Sequence, residues 1–175
     1  MMGRNNPVRL VICCDGTWCT EDGANGKGNG NITNVYRICA SVKTGMVQDP
    51  SGRLIEQDKI YQPGVGSAND VGSWARTSAG VWGTGFGDTI RELYQKCCLL
   101  DEQDEVWLYG FSRGAYIVRA VAGLLHFVGC LKSASDTQTF TKEYKRTLEV
   151  YDSAAKRSKI GPGQVCLFST RVTKV

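Results

Sequence analysis

Runs of alternating and clustered apolar residues predict short strands separated by amphipathic helices along this chain. Val8 to Cys14 reads Val-Arg-Leu-Val-Ile-Cys-Cys, a β-branched run closed by Asp15-Gly16, and predicts a first strand followed by a turn. Glu21 to Asn31 holds four glycines and three asparagines and predicts a flexible loop. Thr33 is placed to cap a helix running to about Lys43, with Val35, Ile38, Cys39 and Val42 on one face and Gly45 ending it. Lys59 to Tyr61 predicts a second short strand, broken by Pro63-Gly64. Gly64 to Gly87 carries seven glycines with Trp74 and Trp82. Linkers rarely carry two tryptophans, so this stretch reads as a long ordered loop near a ligand site.

Asp88 to Leu100 predicts a helix striped by Ile90, Leu93, Tyr94 and Cys97. Glu105 to Tyr109 predicts a third strand with the apolar core Val-Trp-Leu-Tyr. Gly114 to Val128 has almost no polar positions and predicts a buried helix. Thr137 to Ala155 is amphipathic, with Phe140, Tyr144, Leu148 and Tyr151 on one face and Asp136 as a cap. Gly161 to Val175 has a short apolar patch, Val165 to Phe168, and then a polar tail. The β–α–β–α alternation implies an α/β fold, a parallel sheet with crossover helices.

The 175 residues allow one domain. A hydrophobic fraction of 42% excludes a disordered chain, and clustered glycines exclude a collagen-like one. The net charge of +4 is too small for a nucleic-acid footprint. The densest basic stretch, Lys142 to Arg146 with Lys156, Arg157 and Lys159 beyond, is interrupted by Glu143 and Glu149 and reads as a solvated helix face. No apolar run reaches the length of a membrane span, and Leu10 to Cys14 is too short for a signal-peptide core, so a cytoplasmic location is expected. The eight cysteines form no C-x-x-C pair, and His126 is the one histidine. Free thiols in a reducing compartment are expected, with no bound metal and no cofactor.

The chemistry concentrates at the third strand, where Gly110-Phe111-Ser112-Arg113-Gly114 forms G-x-S-x-G. The bare pattern is weak, but it follows a buried strand and opens a helix, the context a strained nucleophile turn requires. Gly110 and Gly114 are the positions where a Cβ would crowd the neighbouring strand and helix. The Arg113 N–H lies at the helix N-terminus, where it can stabilise an oxyanion. The competing reading is a glycine-rich turn in which Ser112 only caps the helix. Phosphate loops fit poorly. Gly26-Lys27-Gly28 lacks the flanking residues of a Walker loop, and Gly83-x-Gly85 lacks the third glycine of a dinucleotide turn.

These residues resemble the type VI secretion phospholipase effector-like catalytic domain family, α/β-hydrolases also widespread in fungi. The resemblance is carried by Cys14-Asp15-Gly16-Thr17-Trp18, Thr33-Asn34-Val35, Tyr61-Gln62-Pro63-Gly64-Val65-Gly66, Gly85-Phe86-Gly87 and Gly110-Phe111-Ser112-Arg113-Gly114-Ala115-Tyr116, followed by Arg119-Ala120. It runs from about Val8 to Gly129. It implies an esterase or phospholipase acting on a lipid or small ester through a Ser–Asp–His triad. Ser112 would be the nucleophile, and the Asp15–Trp18 loop, through Gly16 and Thr17, would lie beside the oxyanion hole. Cys19 stands where the family usually has Asn.

The acid and histidine that the resemblance implies, on a later Trp-Asp-Thr-Val-Gly-like strand and beyond it, are absent. Asp136 and Asp152 fall on or before a predicted helix, and His126 lies 14 residues beyond Ser112 on one helix, about 21 Å along its axis. The chain therefore reads as the N-terminal part of an α/β-hydrolase, residues 8–160, with the C-terminal strands missing and 161–175 a non-family tail. Three predicted strands leave one sheet edge open where the acid strand would pair. A serine without its base is a weak nucleophile, so the chain is expected to be inactive as it stands, or to be a non-catalytic α/β binding module. The sequence sets no expectation for oligomeric state.

Overall fold

Val8–Cys14 forms β1, and its alternation puts side chains into two different cores. Val8, Leu10, Ile12 and Cys14 join a large cluster on one side, and Val11 and Cys13 join a small one on the other. A strand buried on both faces has to be central in its sheet. The computed structural model, which describes residues 4–24, 32–64, 84–157 and 167–171, places it there.

The remaining elements follow in chain order. A two-stranded ribbon, β2 (Cys19–Thr20) and β3 (Gly23–Ala24), precedes helix α1 (Asn34–Ser41). Strands β4 (Gly45–Gln48) and β5 (Leu54–Gln62) lead to α2 (Thr84–Cys98), β6 (Glu105–Gly110) and α3 (Arg113–Phe127). A 3₁₀ turn (Lys132–Ser135), helix α4 (Thr137–Arg157) and β7 (Leu167–Arg171) complete them. The sheet order is β4-β5-β1-β6-β7. β5, β1 and β6 are parallel, with Cys14 level with both Gln62 and Gly110, while β4 and β7 run antiparallel at the edges.

The large cluster packs β1 and β6 against α2, α3 and α4. Tyr94 and Phe140 are fully buried within it, with ring centroids 6.0 Å apart, and the Tyr94 hydroxyl donates to the Gly129 carbonyl at 2.7 Å. The small cluster packs Val35 and Cys39 of α1 on Val11 and Cys13, so helices cover both faces. Thr33 caps α1 by accepting from the Tyr36 N–H, and Asp136 accepts from Gln138 N–H and the Thr139 hydroxyl at the start of α4.

Several expectations change. The second strand runs over Leu54–Gln62, not only Lys59–Tyr61, and β4 is an additional strand beginning at Gly45. Helix α2 starts at Thr84, so Gly85 and Gly87 lie in the helix. The β6 edge expected to be open carries β7, which falls inside the segment 161–175. Residues 25–31 of the first glycine-rich loop and 65–83 of the second, with Trp74 and Trp82, lie outside the described residues. So do the tail residues 161–166 and 172–175. Lys142, Lys145 and Arg146 face solvent on α4.

Candidate active site

The chain leaves the C-terminal ends of β1 and β6 toward opposite faces of the sheet. After β1 it reaches α1 in the small cluster, and after β6 it enters α3 in the large one. Neighbouring parallel strands whose connections diverge open a crevice beyond their C-terminal ends, the usual ligand position in open α/β sheets. Every site residue singled out from the sequence lies at this crevice.

Ser112 occupies the turn from β6 into α3 with φ 50° and ψ −121°. A side chain at positive φ is strained by about 1–3 kcal/mol, and it persists only where its surroundings dictate it. The surroundings here are specific. The Phe111 N–H donates to the Cys14 carbonyl at 3.1 Å, and the Gly114 and Ala115 N–H groups donate to Phe111 and Ser112 carbonyls at 2.9 and 3.0 Å. A Cβ on Gly110 would lie 2.6 Å from Ala115 Cα and 2.7 Å from the Gly114 oxygen. One on Gly114 would fall on the Cys14 carbonyl. The two glycines thus let α3 start directly over the end of β1. The Ser112 side chain is exposed and makes no capping hydrogen bond, which removes the reading in which it serves only as a cap.

The loop after β1 closes the other side of the crevice. A Cβ on Gly16 would meet Phe111 Cδ1 at 2.8 Å and Ser112 Cβ at 3.0 Å, so a side chain here would crowd both, and glycine lets the backbone lie close to the serine. Gly64 backs the loop from β5, with no room for a side chain against the Gly16 carbonyl. Trp18, at φ 63°, is the only other described non-glycine residue at positive φ, and the Cys19 N–H donates to the Gly16 carbonyl at 3.0 Å. Arg113 reaches back from α3, and its Nε donates to Thr17 Oγ1. Its guanidinium lies 5.9 Å from the Phe86 ring centroid.

Beneath this loop lies a carboxylate that sequence reasoning did not single out. Asp15 is 2% exposed. Its Oδ1 accepts from the Gly16 N–H at 2.9 Å, and its Oδ2 accepts from Thr33 Oγ1 at 2.7 Å and Tyr61 Oη at 2.8 Å. Burial and the bond to Asp15 push the Tyr61 phenol well above its ordinary range. Burial, with the Asp15 charge next to it, pushes the Cys14 thiol up to about 12. The available signals were an Asp directly after a buried strand and its place, with Thr33 and Tyr61, in the motifs that carry the family resemblance. Its partners stand 18 and 46 residues away, beyond any local pattern.

The structure thus brings Ser112, Arg113, Gly110, Gly114, Gly16 and Thr17 together. It does not bring His126 to them: that residue is exposed in the last turn of α3, with its ring 5.0 Å from that of Phe127. Asp136 is engaged at the start of α4, and Asp152 lies within that helix. Trp18, Phe111 and Tyr116, each more than 40% exposed, lie on the elements that carry the serine and its facing loop. Among the described residues, no group of three or more His, Cys, Asp or Glu could hold a metal ion, and no helix is long and apolar enough to cross a membrane.

No curated protein and no solved structure matches the chain significantly. A family model does, over residues 8–164, and its description is T6SS, phospholipase effector Tle1-like, catalytic domain. That span takes in β1, the loop after it, Ser112 and everything up to the end of α4, and by it the chain belongs to the Tle1-like phospholipase effector catalytic-domain family.

Proposed function

We propose that this chain carries the nucleophile-bearing part of a serine ester hydrolase of the phospholipase type, on a partial α/β-hydrolase fold. The observation that supports this best is the exposed, uncapped Ser112 at φ 50° between β6 and α3. In this reading Ser112 forms a nucleophile elbow, and its Oγ attacks the acyl carbonyl of a lipid or small ester. The alcohol leaves with a proton, and water then releases the acyl group from the serine. The main-chain N–H groups of Arg113 and Thr17 take the oxyanion. The Gly16 N–H, expected as a further donor, is engaged by Asp15. Gly16 contributes instead by having no side chain, which lets its own backbone lie close to Ser112.

The missing part is the base. The single histidine stands at the opposite end of α3 from Ser112. Oxyanion stabilisation and binding alone give on the order of 10³–10⁴-fold over water. In this reading the 175-residue chain is a feeble hydrolase, with no histidine of its own beside Ser112.

The test is labelling by an alkyl fluorophosphonate together with a p-nitrophenyl ester assay, on the parent and on Ser112→Ala. Slow labelling that the substitution abolishes is the expected result. A Ser112-dependent kcat of about 1 s⁻¹ or more, the low end for enzymes, would overturn the missing-base reading. Absence of any labelling would favour the second reading, a binding module that keeps the fold without the chemistry. The distance of His126 from Ser112 is what favours that reading.

A further inference from the structure

Asp15 is buried, ionisable and unused by the chemistry just described. We infer that it is the positioning residue of this site, whose carboxylate, gripped by Thr33 and Tyr61, fixes the Gly16–Trp18 backbone against Ser112. The inference rests on the nucleophile reading of Ser112 only for its catalytic consequence. Its structural content stands on Asp15 alone.

Three elements converge on this side chain. Thr33 comes from the start of α1, Tyr61 from the end of β5, and the Gly16 N–H from the loop itself. The proton directions are constrained. Thr33 Oγ1 accepts from the Tyr36 N–H at 3.0 Å while capping α1, which leaves its own hydrogen for Asp15. Tyr61 stays a protonated donor throughout the neutral range, because burial and the bond to Asp15 hold its phenol high. Each donor to Asp15 among the described residues is therefore neutral and aimed at one carboxylate. The main chain is tied down as well, since the Asp15 N–H donates to the Gln62 carbonyl at 2.9 Å. Beyond Asp15 the loop is also held by the Cys19–Gly16 and Gly64–Cys19 main-chain bonds, the Cys19 thiol on the Thr17 carbonyl, the Gly64 backing and the Arg113 side chain. Trp18 at φ 63° resists that arrangement. A group whose acceptors point at both the loop and the scaffold transmits the scaffold's rigidity to the oxyanion side of the serine.

The test compares Asp15→Ala, Tyr61→Phe and Ser112→Ala with the parent, using the full 175-residue chain. Amide hydrogen exchange is read at Cys19, whose N–H bonds the Gly16 carbonyl and not the substituted side chain, and at Leu10 and Ile12 in β1. Asp15→Ala should speed exchange at Cys19 at least 10-fold more than at Leu10 and Ile12, whose exchange reports global unfolding. Tyr61→Phe should give a smaller rise at the same place, and Ser112→Ala none. Fluorophosphonate labelling of Ser112 should slow at least 10-fold in Asp15→Ala, roughly one oxyanion donor's effect at its weak end. Unchanged Cys19 exchange would overturn the inference whatever the labelling does. A matching rise at Leu10 and Ile12 would overturn it too, since Asp15 would then be a fold-stability residue. Labelled parent and equally labelled Asp15→Ala would overturn the positioning role. A parent that is never labelled refutes the nucleophile reading, while the exchange at Cys19 still decides what Asp15 does.

Discussion

Gly114→Ala and Gly87→Ala make the same chemical change in two helices, and the structure gives them opposite signs. Alanine is ordinarily favoured over glycine in a helix by about 1 kcal/mol. Gly87 is exposed in α2, and a Cβ built there meets nothing among the described residues within 4 Å. That substitution should stabilise by about 0.5–1 kcal/mol. At Gly114 the new methyl would fall on the Cys14 carbonyl and lie 2.6 Å from the Asp15 oxygen. Contacts of this kind relax only at about 3.5 Å or more, so from 2.1 Å to the Cys14 oxygen α3 has to retreat from β1 by about 1.4 Å. The obstacle is the backbone of the central strand, which has no rotamer to yield. The overpacking cost therefore sits at the top of its usual range, about 3 kcal/mol, and outweighs the propensity gain. At about 2–4 °C per kcal/mol for a chain of this size, Gly114→Ala, at a net cost of about 2 kcal/mol, should melt about 4–8 °C lower and Gly87→Ala about 1–4 °C higher. Urea unfolding followed by far-UV circular dichroism, with thermal melts alongside, reads both. A Gly114→Ala protein as stable as its parent would refute the claim that α3 starts in contact with the end of β1. The turn geometry at Ser112 built on that contact would fall with it.

Asp104 is fully buried and accepts from the Val8 and Asp101 N–H groups, each at 2.7 Å, and from Arg4. Asp104→Ala orphans two main-chain donors and should cost about 2–4 kcal/mol in urea unfolding. At Glu105, burial works against ionisation, but hydrogen bonds from Arg9, Trp107 and Arg53 outweigh it and hold the carboxyl below its usual value. Its stabilisation is thus present above the unfolded pKa, about 4.3, and is lost as pH falls through the lower folded value. Glu105→Gln should flatten that acid limb in unfolding measured from pH 5 to 2. Burial, then the Asp15 charge, puts the Cys14 thiol at about 12 in the folded chain. Stability is intact below the unfolded thiol pKa, about 8.5, and declines as pH rises from there toward the folded value. The decline should be shallower in Cys14→Ala. A thiol reagent should react slowly with the seven described cysteines of the folded chain, all of them buried, and find close to eight thiols once it is denatured.

What could be read from the sequence was set by how locally each feature is determined. β6, the turn and α3 were legible because an apolar run, two glycines and an apolar helix follow one another directly. The α1 cap at Thr33 and the α4 cap at Asp136 were legible for the same reason. β5 was seen only at its C-terminal end, because Leu-Ile-Glu-Gln-Asp-Lys-Ile-Tyr-Gln interrupts its apolar positions with charges. β4 was missed because three of its four residues are exposed on a sheet edge, where no apolar pattern is needed. The start of α2 was placed four residues late, since Gly85 and Gly87 argue against a helix that tertiary packing nevertheless builds. The strain at Ser112 followed from its motif. The grip on Asp15 did not, because hydroxyls from residues 33 and 61 reach it only through the topology.

The central position of β1 also has a consequence for how the chain is made. β1 leaves the ribosome before the other described strands, yet its partner in β6 lies 96 residues later, with Arg9 opposite Glu105. At about 5–20 residues per second, it waits roughly 5–20 s for that neighbour. During this interval Val-Arg-Leu-Val-Ile-Cys-Cys is an apolar segment with one side of its backbone unpaired. Folding of the parallel sheet is thus tied to long-range closure and is slow by nature. The nascent chain depends on β5, or on a chaperone, to shield β1 until residue 110 has emerged.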